Sequence, residues 1–150
     1  MRLLESRKIP YEAHYYDCRD GKIDGLSVAE KTNKDPEVVF KTLVARGTSK
    51  EIYVFVIPVA AELDLKKAAG AAGEKKIEMV QVKEIQSLTG YIRGGCSPIG
   101  MKKQYRTFID EKAREAETII VSGGKIGIQI EIKGNDLIEA TGGKYADLIK

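Results

Sequence analysis

The sequence predicts a single α+β domain that spans residues 1–150 and contains a mixed sheet with short helices around it. A chain of 150 residues has the usual length of one domain and can bury about 70% of its unfolded surface on folding. Strand-like segments are interleaved with short helical ones, and two of the strands are close enough in sequence to form a hairpin. The helices are too few and too weak for a regular βαβ winding, so a mixed sheet is favoured.

The N-terminal part of the chain predicts a helix, a strand and a second helix. Residues 2–8 form a short amphipathic helix that ends before Pro10, because the residue preceding a proline disfavours the α conformation. Residues 11–16 alternate between the two faces of a strand. Ser27 opens the capping-box sequence S-V-A-E, which predicts a helix that starts at Ser27 and ends near Asn33.

Residues 39–45 and 52–57 predict the two arms of a β-hairpin, because both are apolar and rich in β-branched residues and G-T-S-K lies between them. Lys41 interrupts the first arm. A lysine in an apolar strand often lies at a sheet edge or extends its amine to water. The alternative is that Lys41 points into a pocket and holds a phosphate.

The rest of the chain alternates between helices and strands. Asp64 is a suitable cap for one helix, and Gly90 ends the next. From Ile126 to Ile132, isoleucines alternate with other residues at the period of a half-buried strand. The predicted elements are helices at 64–72, 80–89 and 135–140, a helical segment capped by Asp110, and strands at 105–109, 118–121 and 126–132.

Composition and charge exclude several classes of protein. The longest apolar run, near residues 52–61, is far too short to span a bilayer, and the N-terminus does not resemble a signal peptide. Cys18 and Cys96 form no Cys-x-x-Cys pair and His14 is the only histidine, so we expect no metal and no cofactor. This cysteine usage favours a cytoplasmic protein. A net charge of +3 permits a nucleic-acid partner only through a local basic surface.

The segment 93–106, R-G-G-C-S-P-I-G-M-K-K-Q-Y-R, predicts a shaped loop. Its three glycines and its Ser-Pro step are incompatible with a helix interior or a central strand. Glycines let backbone amides approach an anion, and Lys102, Lys103 and Arg106 add positive charge after them. The two common phosphate-binding motifs are absent. The loop therefore suggests a site for a phosphate or carboxylate, although a tight connection is the more frequent role of such a sequence.

The sequence does not contain an evident nucleophilic triad, because G-x-S-x-G is absent and the only histidine lies in the first predicted strand. Ser97 and Ser122 are expected to be turn hydroxyls. Nearby cations and glycine amides would lower the pKa of the Cys96 thiol, but without an evident base we expect a packed small side chain. Other candidate ligand contacts are His14, Tyr15, Tyr16 and Asp136.

Three motifs together resemble the YbaK family of aminoacyl-tRNA deacylases. They are F-K-T-L at residues 40–43, G-Y-I-R-G-G-C-S-P-I-G at 90–100 and V-S-G-G-K-I-G at 121–127. Their order and spacing, with I-P-Y-E-A-H-Y-Y-D near the N-terminus and the later L-D-L-K-K-A, extend the resemblance along nearly the whole chain. The resemblance implies a mainly antiparallel, barrel-like α+β domain, of the kind inserted in bacterial prolyl-tRNA synthetases as an editing module.

The resemblance also implies roles for individual residues. Lys41 matches the lysine most closely tied to activity and would hold the 3′-terminal end of the tRNA, while the Gly94 backbone would face the ester carbonyl. Cys96 departs from the family pattern, in which an aliphatic residue is common. The other expected substrate contacts are Tyr16, Gly95, Ser97, Ser122, Gly123 and Asp136. Lys102, Lys103 and Arg106 are candidates for contact with tRNA phosphates, and the alternative is that they form a solvated face.

The implied activity is removal of cysteine from mischarged Cys-tRNA(Pro) in trans. A cysteine thiol can attack its own activated ester, with an effective molarity of about 10⁵ M or more for well-oriented groups. Backbone amides at Gly94 or Gly95 would each contribute on the order of 3 kcal/mol to stabilising the oxyanion. The expected partner is prolyl-tRNA synthetase, which would supply selectivity for the tRNA. The alternatives are a deacylase for alanine or another small amino acid, and a non-catalytic module that binds the tRNA acceptor end or the synthetase.

Overall fold

The computed structural model describes residues 2–22 and 24–150. Within these residues the chain forms eight strands and five α-helices, which confirms the predicted α+β class. In chain order the elements are α1 (Arg2–Ser6), β1 (Glu12–Tyr15), α2 (Gly25–Lys31), β2 (Phe40–Gly47), β3 (Ile52–Pro58), α3 (Leu65–Ala72), β4 (Ile77–Met79), α4 (Val82–Thr89), β5 (Arg106–Asp110), a 3₁₀ helix (Glu111–Glu115), β6 (Ile119–Ser122), β7 (Ile128–Ile132), α5 (Gly134–Thr141) and β8 (Lys144–Ala146). No helix in the described residues is long and apolar enough to cross a membrane.

The strands form two sheets. A three-stranded antiparallel sheet has the order β1-β7-β6, and a five-stranded mixed sheet has the order β4-β2-β3-β5-β8, in which β5 runs parallel to both of its neighbours. A parallel bridge between Val39 and Ile120 connects the start of β2 to β6. The mainly antiparallel pairing agrees with the expectation, but a barrel is not confirmed, because the strands form two separate hydrogen-bonded sheets.

The predicted hairpin is confirmed and forms the centre of the larger sheet. Strands β2 and β3 pair in register from Phe40 opposite Pro58 to Arg46 opposite Ile52. Strand β3 is buried on both faces, and alternate side chains enter two apolar clusters. Val54 and Val56 pack in the cluster that includes Ile119 of β6 and Ile130 and Ile132 of β7, while Phe55 and Ile57 pack against the alanines of α3. Each buried side chain contributes roughly 1.5–3 kcal/mol relative to exposure.

Helix α2 begins earlier than the capping-box sequence predicted. Asp24 is the N-cap, and its carboxylate accepts hydrogen bonds from the Ser27 backbone nitrogen at 3.1 Å and the Ser27 hydroxyl at 2.7 Å. These bonds lower the pKa of Asp24, with the side-chain bond from Ser27 as the largest cause. The predicted start at Ser27 is therefore wrong, because the carboxylate three residues earlier satisfies the exposed amides of the first turn.

Two short strands were not predicted from the sequence. Strand β4 pairs with β2 and strand β8 pairs with β5, and each has only three residues. Segments this short carry almost no periodic signal, and their conformation depends on the strand beside them. Strand β7 also begins at Ile128 rather than Ile126, because a turn that includes Gly124 and Gly127, both with φ of 99°, precedes it.

Candidate active site

A cleft of about 120 Å³ lies beside the bridge that joins the two sheets. Its walls come from α2, from the start of β2, from the glycine-rich loop after α4, and from the facing ends of β6 and β7. Apolar side chains of Val28, Phe40, Val59 and Ile128 contribute to the lining, together with a small number of polar groups. This mixture of apolar walls and convergent polar groups is typical of a small-molecule site.

Four of the predicted site residues meet in this cleft. Tyr16, Lys41, Gly94 and Ser122 all line it, although they come from four separate segments of the chain. Each of the three motifs that suggested a common site contributes at least one of these residues. The tertiary fold therefore brings together the segments that the sequence analysis required to meet.

Four other predicted contacts do not line the cleft. Ser97 is fully buried, and its hydroxyl accepts a hydrogen bond from the Ile99 nitrogen at 3.2 Å, so it is a turn hydroxyl. Gly95 packs on the turn between β6 and β7, and the Gly123 nitrogen donates to the Ile128 carbonyl at 2.9 Å. Asp136 lies in the first turn of α5, the helix that packs against the 3₁₀ helix.

The predicted phosphate-binding cations also lie outside the cleft. The Arg106 guanidinium lies 5.5 Å from the ring centroids of both Tyr53 and Phe108. The Lys103 amine lies 5.8 Å from the ring centroid of Tyr105. Lys103 and Arg106 line a separate surface depression, and Lys102 is exposed. Contact of these three cations with a more distant part of a nucleic acid therefore remains a prediction.

Lys41 is a half-buried cation at the start of β2, between Phe40 and Thr42. None of the ion pairs formed among residues 2–22 and 24–150 involves Lys41. A partly buried charge without a carboxylate partner favours binding of an anion, because the anion restores the stabilisation that burial removed.

The cleft also contains two polar groups that the sequence analysis missed. In the described part of the chain, the buried oxygens that have no hydrogen-bond partner are Thr42 Oγ1 and Gln129 Oε1, and both residues line the cleft. Leaving such a group unpaired costs roughly 1–3 kcal/mol. Unpaired buried groups in a cleft suggest a ligand or water that completes their hydrogen bonds. Thr42 lies within the F-K-T-L motif, whereas Gln129 lies two residues after the V-S-G-G-K-I-G motif.

The glycine-rich loop offers one backbone amide to the cleft. Gly94 has φ of 88°, a left-handed conformation that favours glycine, and lines the cleft. The Gly95 nitrogen donates to the Ile92 carbonyl at 3.0 Å, whereas no partner of the Gly94 nitrogen is found among the described residues. Of the two amides expected to stabilise an oxyanion, Gly95 is therefore occupied by its turn and Gly94 is the available donor.

Cys96 lines the cleft but is a poor nucleophile. Burial is the main cause that raises the pKa of its thiol to about 11, and a hydrogen bond with Thr89 opposes this only in part. The expected lowering of this pKa by nearby cations is wrong, because Lys102 and Lys103 point to solvent while the thiol is buried among apolar groups. At neutral pH the thiol is protonated. Cys96 is therefore a packed small side chain, as expected from the lack of an evident catalytic base in the sequence.

His14 does not line the cleft, although it lies opposite the cleft residue Gln129 in the smaller sheet. His14 Nε2 is 2.8 Å from the Glu131 carboxylate, which also accepts from Thr118 at 2.6 Å and pairs with Lys34 at 3.4 Å. These partners lower the pKa of Glu131, with the Thr118 bond as the largest cause. Glu12 completes a group whose possible metal-ligand atoms lie within 4.8 Å, but Thr118 and Lys34 already engage the Glu131 carboxylate.

Comparison with known proteins agrees with this geometry. Residues 25–140 match the aminoacyl-tRNA editing domain family. EbsC of Enterococcus faecalis, which carries the provisional name Cys-tRNA(Pro)/Cys-tRNA(Cys) deacylase, is 45% identical over 148 residues that cover 99% of this chain and 90% of EbsC. The proline–tRNA ligase of Brachyspira hyodysenteriae is 29% identical over 93 residues, which cover 62% of this chain and 16% of the ligase.

A solved structure extends the likeness to the fold. The crystal structure of a protein provisionally described as a trans-editing enzyme for prolyl-tRNA synthetase superposes with a TM-score of 0.88, covering 99% of this chain and 93% of the other, at 23% identity. The matched residues 25–140 include every wall of the cleft except Tyr16. The resemblance inferred from the three motifs is therefore confirmed, and the chain belongs to the aminoacyl-tRNA editing domain family.

Proposed function

We propose that this protein is one editing domain over residues 1–150 that hydrolyses mischarged Cys-tRNA(Pro) in trans. The observation that carries the proposal is the cleft itself, whose lining includes Lys41, which has no ion pair among the described residues, Gly94 with its available amide, and Thr42 and Gln129, each with an unpartnered oxygen. The 45% identity to EbsC, which is provisionally named for this substrate, supports the choice of amino acid.

The substrate supplies the nucleophile in this mechanism. The cysteine thiol sulfur forms a bond to the carbonyl carbon, the ester C–O bond breaks, and the thiol proton passes to the leaving oxygen of the terminal ribose. The product is a strained cyclic thioester, which water opens to free cysteine. This route fits a cleft whose own cysteine has a thiol with a pKa of about 11 and whose lining contains no histidine.

Four groups of the protein have roles in this step. The Lys41 ammonium binds the phosphate of the terminal nucleotide and fixes the position of the ester. The Gly94 amide donates to the carbonyl oxygen as it becomes negative, a contribution on the order of 3 kcal/mol. Thr42 and Gln129, each with an unpaired oxygen, accept hydrogen bonds from the amino group or the ribose hydroxyl of the substrate.

Selecting the amino acid by its thiol overcomes a limit of selecting it by size alone. A hydrophobic pocket separates side chains that differ by a methylene by only about 1–3 kcal/mol. The cleft of about 120 Å³ has room for the small side chains of alanine and serine as well as cysteine. Esters of alanine and serine enter but have no thiol, and they react slowly.

A second candidate is a deacylase for alanine or another small amino acid that uses water. The observation that favours it is the pair of unpartnered oxygens at Thr42 and Gln129, which could orient a water molecule toward the carbonyl. A non-catalytic protein that binds the tRNA acceptor end would use the same two groups, the Lys41 ammonium and the Gly94 amide.

We also propose prolyl-tRNA synthetase as the partner and the cytoplasm as the location. A net charge of +3 provides little general attraction for the tRNA body, so selectivity for tRNA(Pro) has to come from another protein. Sequence similarity to a proline–tRNA ligase over 93 residues supports this partner.

The decisive measurement is release of the amino acid from Cys-tRNA(Pro) and Ala-tRNA(Pro) in parallel, with the wild type, Lys41→Ala and the matched control Lys75→Ala. Lys75 is an exposed lysine outside the cleft. Fast release of cysteine alone, lost in Lys41→Ala and kept in Lys75→Ala, supports the proposal. Release of alanine at a similar rate moves the protein to the water-using mechanism, and release of neither amino acid leaves only a binding role.

A further inference from the structure

A second groove, of about 490 Å³, lies next to the cleft and has an aromatic and basic lining. We infer that it binds the unpaired nucleotides that precede the terminal adenosine of the tRNA acceptor end, with a base stacked on Tyr15 and phosphates at Arg2 and Lys125. This inference rests on the proposed function, because it assigns a place to the part of the same substrate that the cleft is too small to hold.

The groove and the cleft share their supporting segments. Tyr15 lines the groove and Tyr16 lines the cleft, while Gly123 to Lys125 line the groove directly after Ser122 of the cleft. Ile128 lines both. Strand β1 ends at Tyr15 opposite Ile128, and Ser122 lies opposite Gln129, so all these residues lie at one end of the smaller sheet. Tyr15 and Ile130 lie on the opposite face of this sheet from Ser122 and Gln129, so RNA that leaves the cleft passes around this end of the sheet to reach the groove.

The groove offers an aromatic surface that the fold does not cover. Tyr15 is 73% exposed, and Ala13 on the same face of β1 is exposed as well. Tyr91 forms a fixed part of the lining, because its hydroxyl donates to the Ile99 carbonyl at 2.6 Å and its ring lies against Gly124. Exposed aromatic rings in a groove, such as Tyr15 with Tyr91 in the same lining, are surfaces on which single-stranded bases stack.

The charge of the lining is complementary to a phosphate backbone. Arg2 and Lys125 line the groove, and no carboxylate is among its described lining residues. Glu5 lies near, but it accepts a hydrogen bond from the Tyr11 hydroxyl at 2.9 Å. The surface depression that contains Lys103 and Arg106 includes Glu51, so its charge is mixed.

These features favour RNA over a protein partner. A protein docked on this groove would bury apolar area and gain little from two flanking cations, whereas each RNA phosphate that pairs with a cation releases a bound counterion. Binding of RNA is therefore expected to weaken with salt and to require a base at the stacking position. Both properties can be measured without turnover.

The experiment measures the dissociation constant of a labelled, non-aminoacylated RNA oligomer ending in ACCA by fluorescence anisotropy. The proteins are the wild type, Tyr15→Ala, Tyr15→Phe, Lys125→Ala and the control Lys75→Ala, whose side chain is exposed outside the groove. Tyr15→Ala is expected to weaken binding roughly tenfold and Tyr15→Phe to preserve it, because phenylalanine stacks without the hydroxyl. Lys125→Ala is expected to reduce the slope of log K against log salt by about one contact, and Lys75→Ala to change nothing.

An oligomer with abasic sites at the two cytosines provides the matched ligand control. It is expected to bind wild type and Tyr15→Ala equally, since neither complex can stack a base. Equal affinity of wild type and Tyr15→Ala for the intact oligomer overturns the inference, as does binding by wild type that is too weak to measure. If Tyr15→Ala instead weakens capture of purified prolyl-tRNA synthetase and leaves RNA binding unchanged, the occupant is a protein.

Failure of this inference is distinguishable from failure of the proposed function. Hydrolysis of a cysteinyl ester of adenosine 5′-monophosphate, which carries the phosphate expected at Lys41, requires the cleft but not the groove. If that ester is hydrolysed while Tyr15→Ala binds the oligomer normally, the function stands and the groove assignment falls. If the ester is stable but the oligomer binding depends on Tyr15, the groove assignment stands without catalysis.

Discussion

Gly95 packs directly against the backbone of Ile126, so that a β-carbon on Gly95 would lie 3.0 Å from the Ile126 nitrogen. This contact joins the glycine-rich loop that carries Gly94 to the turn that follows Ser122. Gly94 of the loop and Ser122 and Ile128 at the two ends of the turn line the cleft, so this contact helps to fix the shape of the cleft.

Gly95→Ala is therefore expected to lower the free energy of unfolding by about 1–3 kcal/mol, since the backbone has to move to admit a methyl group. It is also expected to reduce deacylation, because the Gly94 amide shifts with the loop. Gly70→Ala is the matched control: Gly70 lies in α3 with open space around its β-carbon, and alanine there should stabilise by roughly 0.5–1 kcal/mol. Urea denaturation measures both changes, and equal stability of Gly95→Ala and wild type contradicts the packing argument.

Lys41→Ala is expected to reduce kcat/KM for Cys-tRNA(Pro) by roughly 10- to 100-fold, the cost of a hydrogen bond to a charged group. Stability should change little, because no ion pair of Lys41 is found among the described residues. Steady-state kinetics on charged tRNA and a thermal melt separate the two effects. A large loss of stability with unchanged kcat/KM in the folded fraction would assign Lys41 a structural role instead.

Thr42→Val is expected to stabilise the protein by about 1 kcal/mol and to impair deacylation. The substitution keeps the shape of the side chain and removes a buried hydroxyl that has no partner among the described residues. Such an exchange of stability for activity is expected where a polar group is kept for a ligand. Thr42→Ser retains the hydroxyl and serves as the activity control. Destabilisation by Thr42→Val would mean that the hydroxyl already has a partner, such as a bound water.

Cys96 is expected to resist alkylation at pH 7.5, since burial raises the pKa of its thiol to about 11, while the exposed Cys18 reacts readily. Mass spectrometry after iodoacetamide treatment distinguishes the two cysteines within one sample. The raised pKa also has a consequence for stability: the folded state favours the protonated thiol. This stabilisation is complete below the unfolded pKa near 8.5 and is lost as the pH rises from there toward 11. Fast labelling of Cys96 in the native protein would contradict the burial argument.

Glu131 is expected to make the protein sensitive to acid. Its pKa is lowered, mainly by the Thr118 hydrogen bond, so its contribution to stability is present above the pKa of an unfolded glutamate and is lost as the pH falls through the folded pKa. Thr118→Val removes the largest cause. The variant should lose stability at pH 7 and lose less than wild type on acidification. Urea denaturation at pH 7 and below pH 4 tests this, and parallel pH profiles for the two proteins would be inconsistent with it.

Local sequence patterns predicted the elements whose conformation depends on near neighbours. The hairpin of β2 and β3 follows from β-branched residues and a short turn, and α3 follows from the Asp64 cap and Gly73, which ends the helix with φ of 74°. The predicted start of α2 at Ser27 also rested on a local pattern and was wrong. Asp24 and Ser27 are both suitable N-cap residues, and Asp24 is the N-cap in the structure. Strands β4 and β8 were not predicted for another reason. Each has only three residues, and so short a segment becomes a strand only when it pairs with a neighbouring strand.

The sequence by itself determined the α+β class, the hairpin and the three motifs that identify the editing family, because these depend on residue order and short-range periodicity. Only the tertiary structure decided which motif residues share the cleft, because that depends on how the ends of two sheets approach each other. Lys41 and Gly94 line the cleft, whereas Ser97 and Asp136 do not. The Gly95 amide is hydrogen-bonded to the Ile92 carbonyl, and the Gly94 amide is available. The tertiary structure also reversed the expected pKa shift of Cys96, since burial is a property of the packed protein and not of the neighbouring sequence.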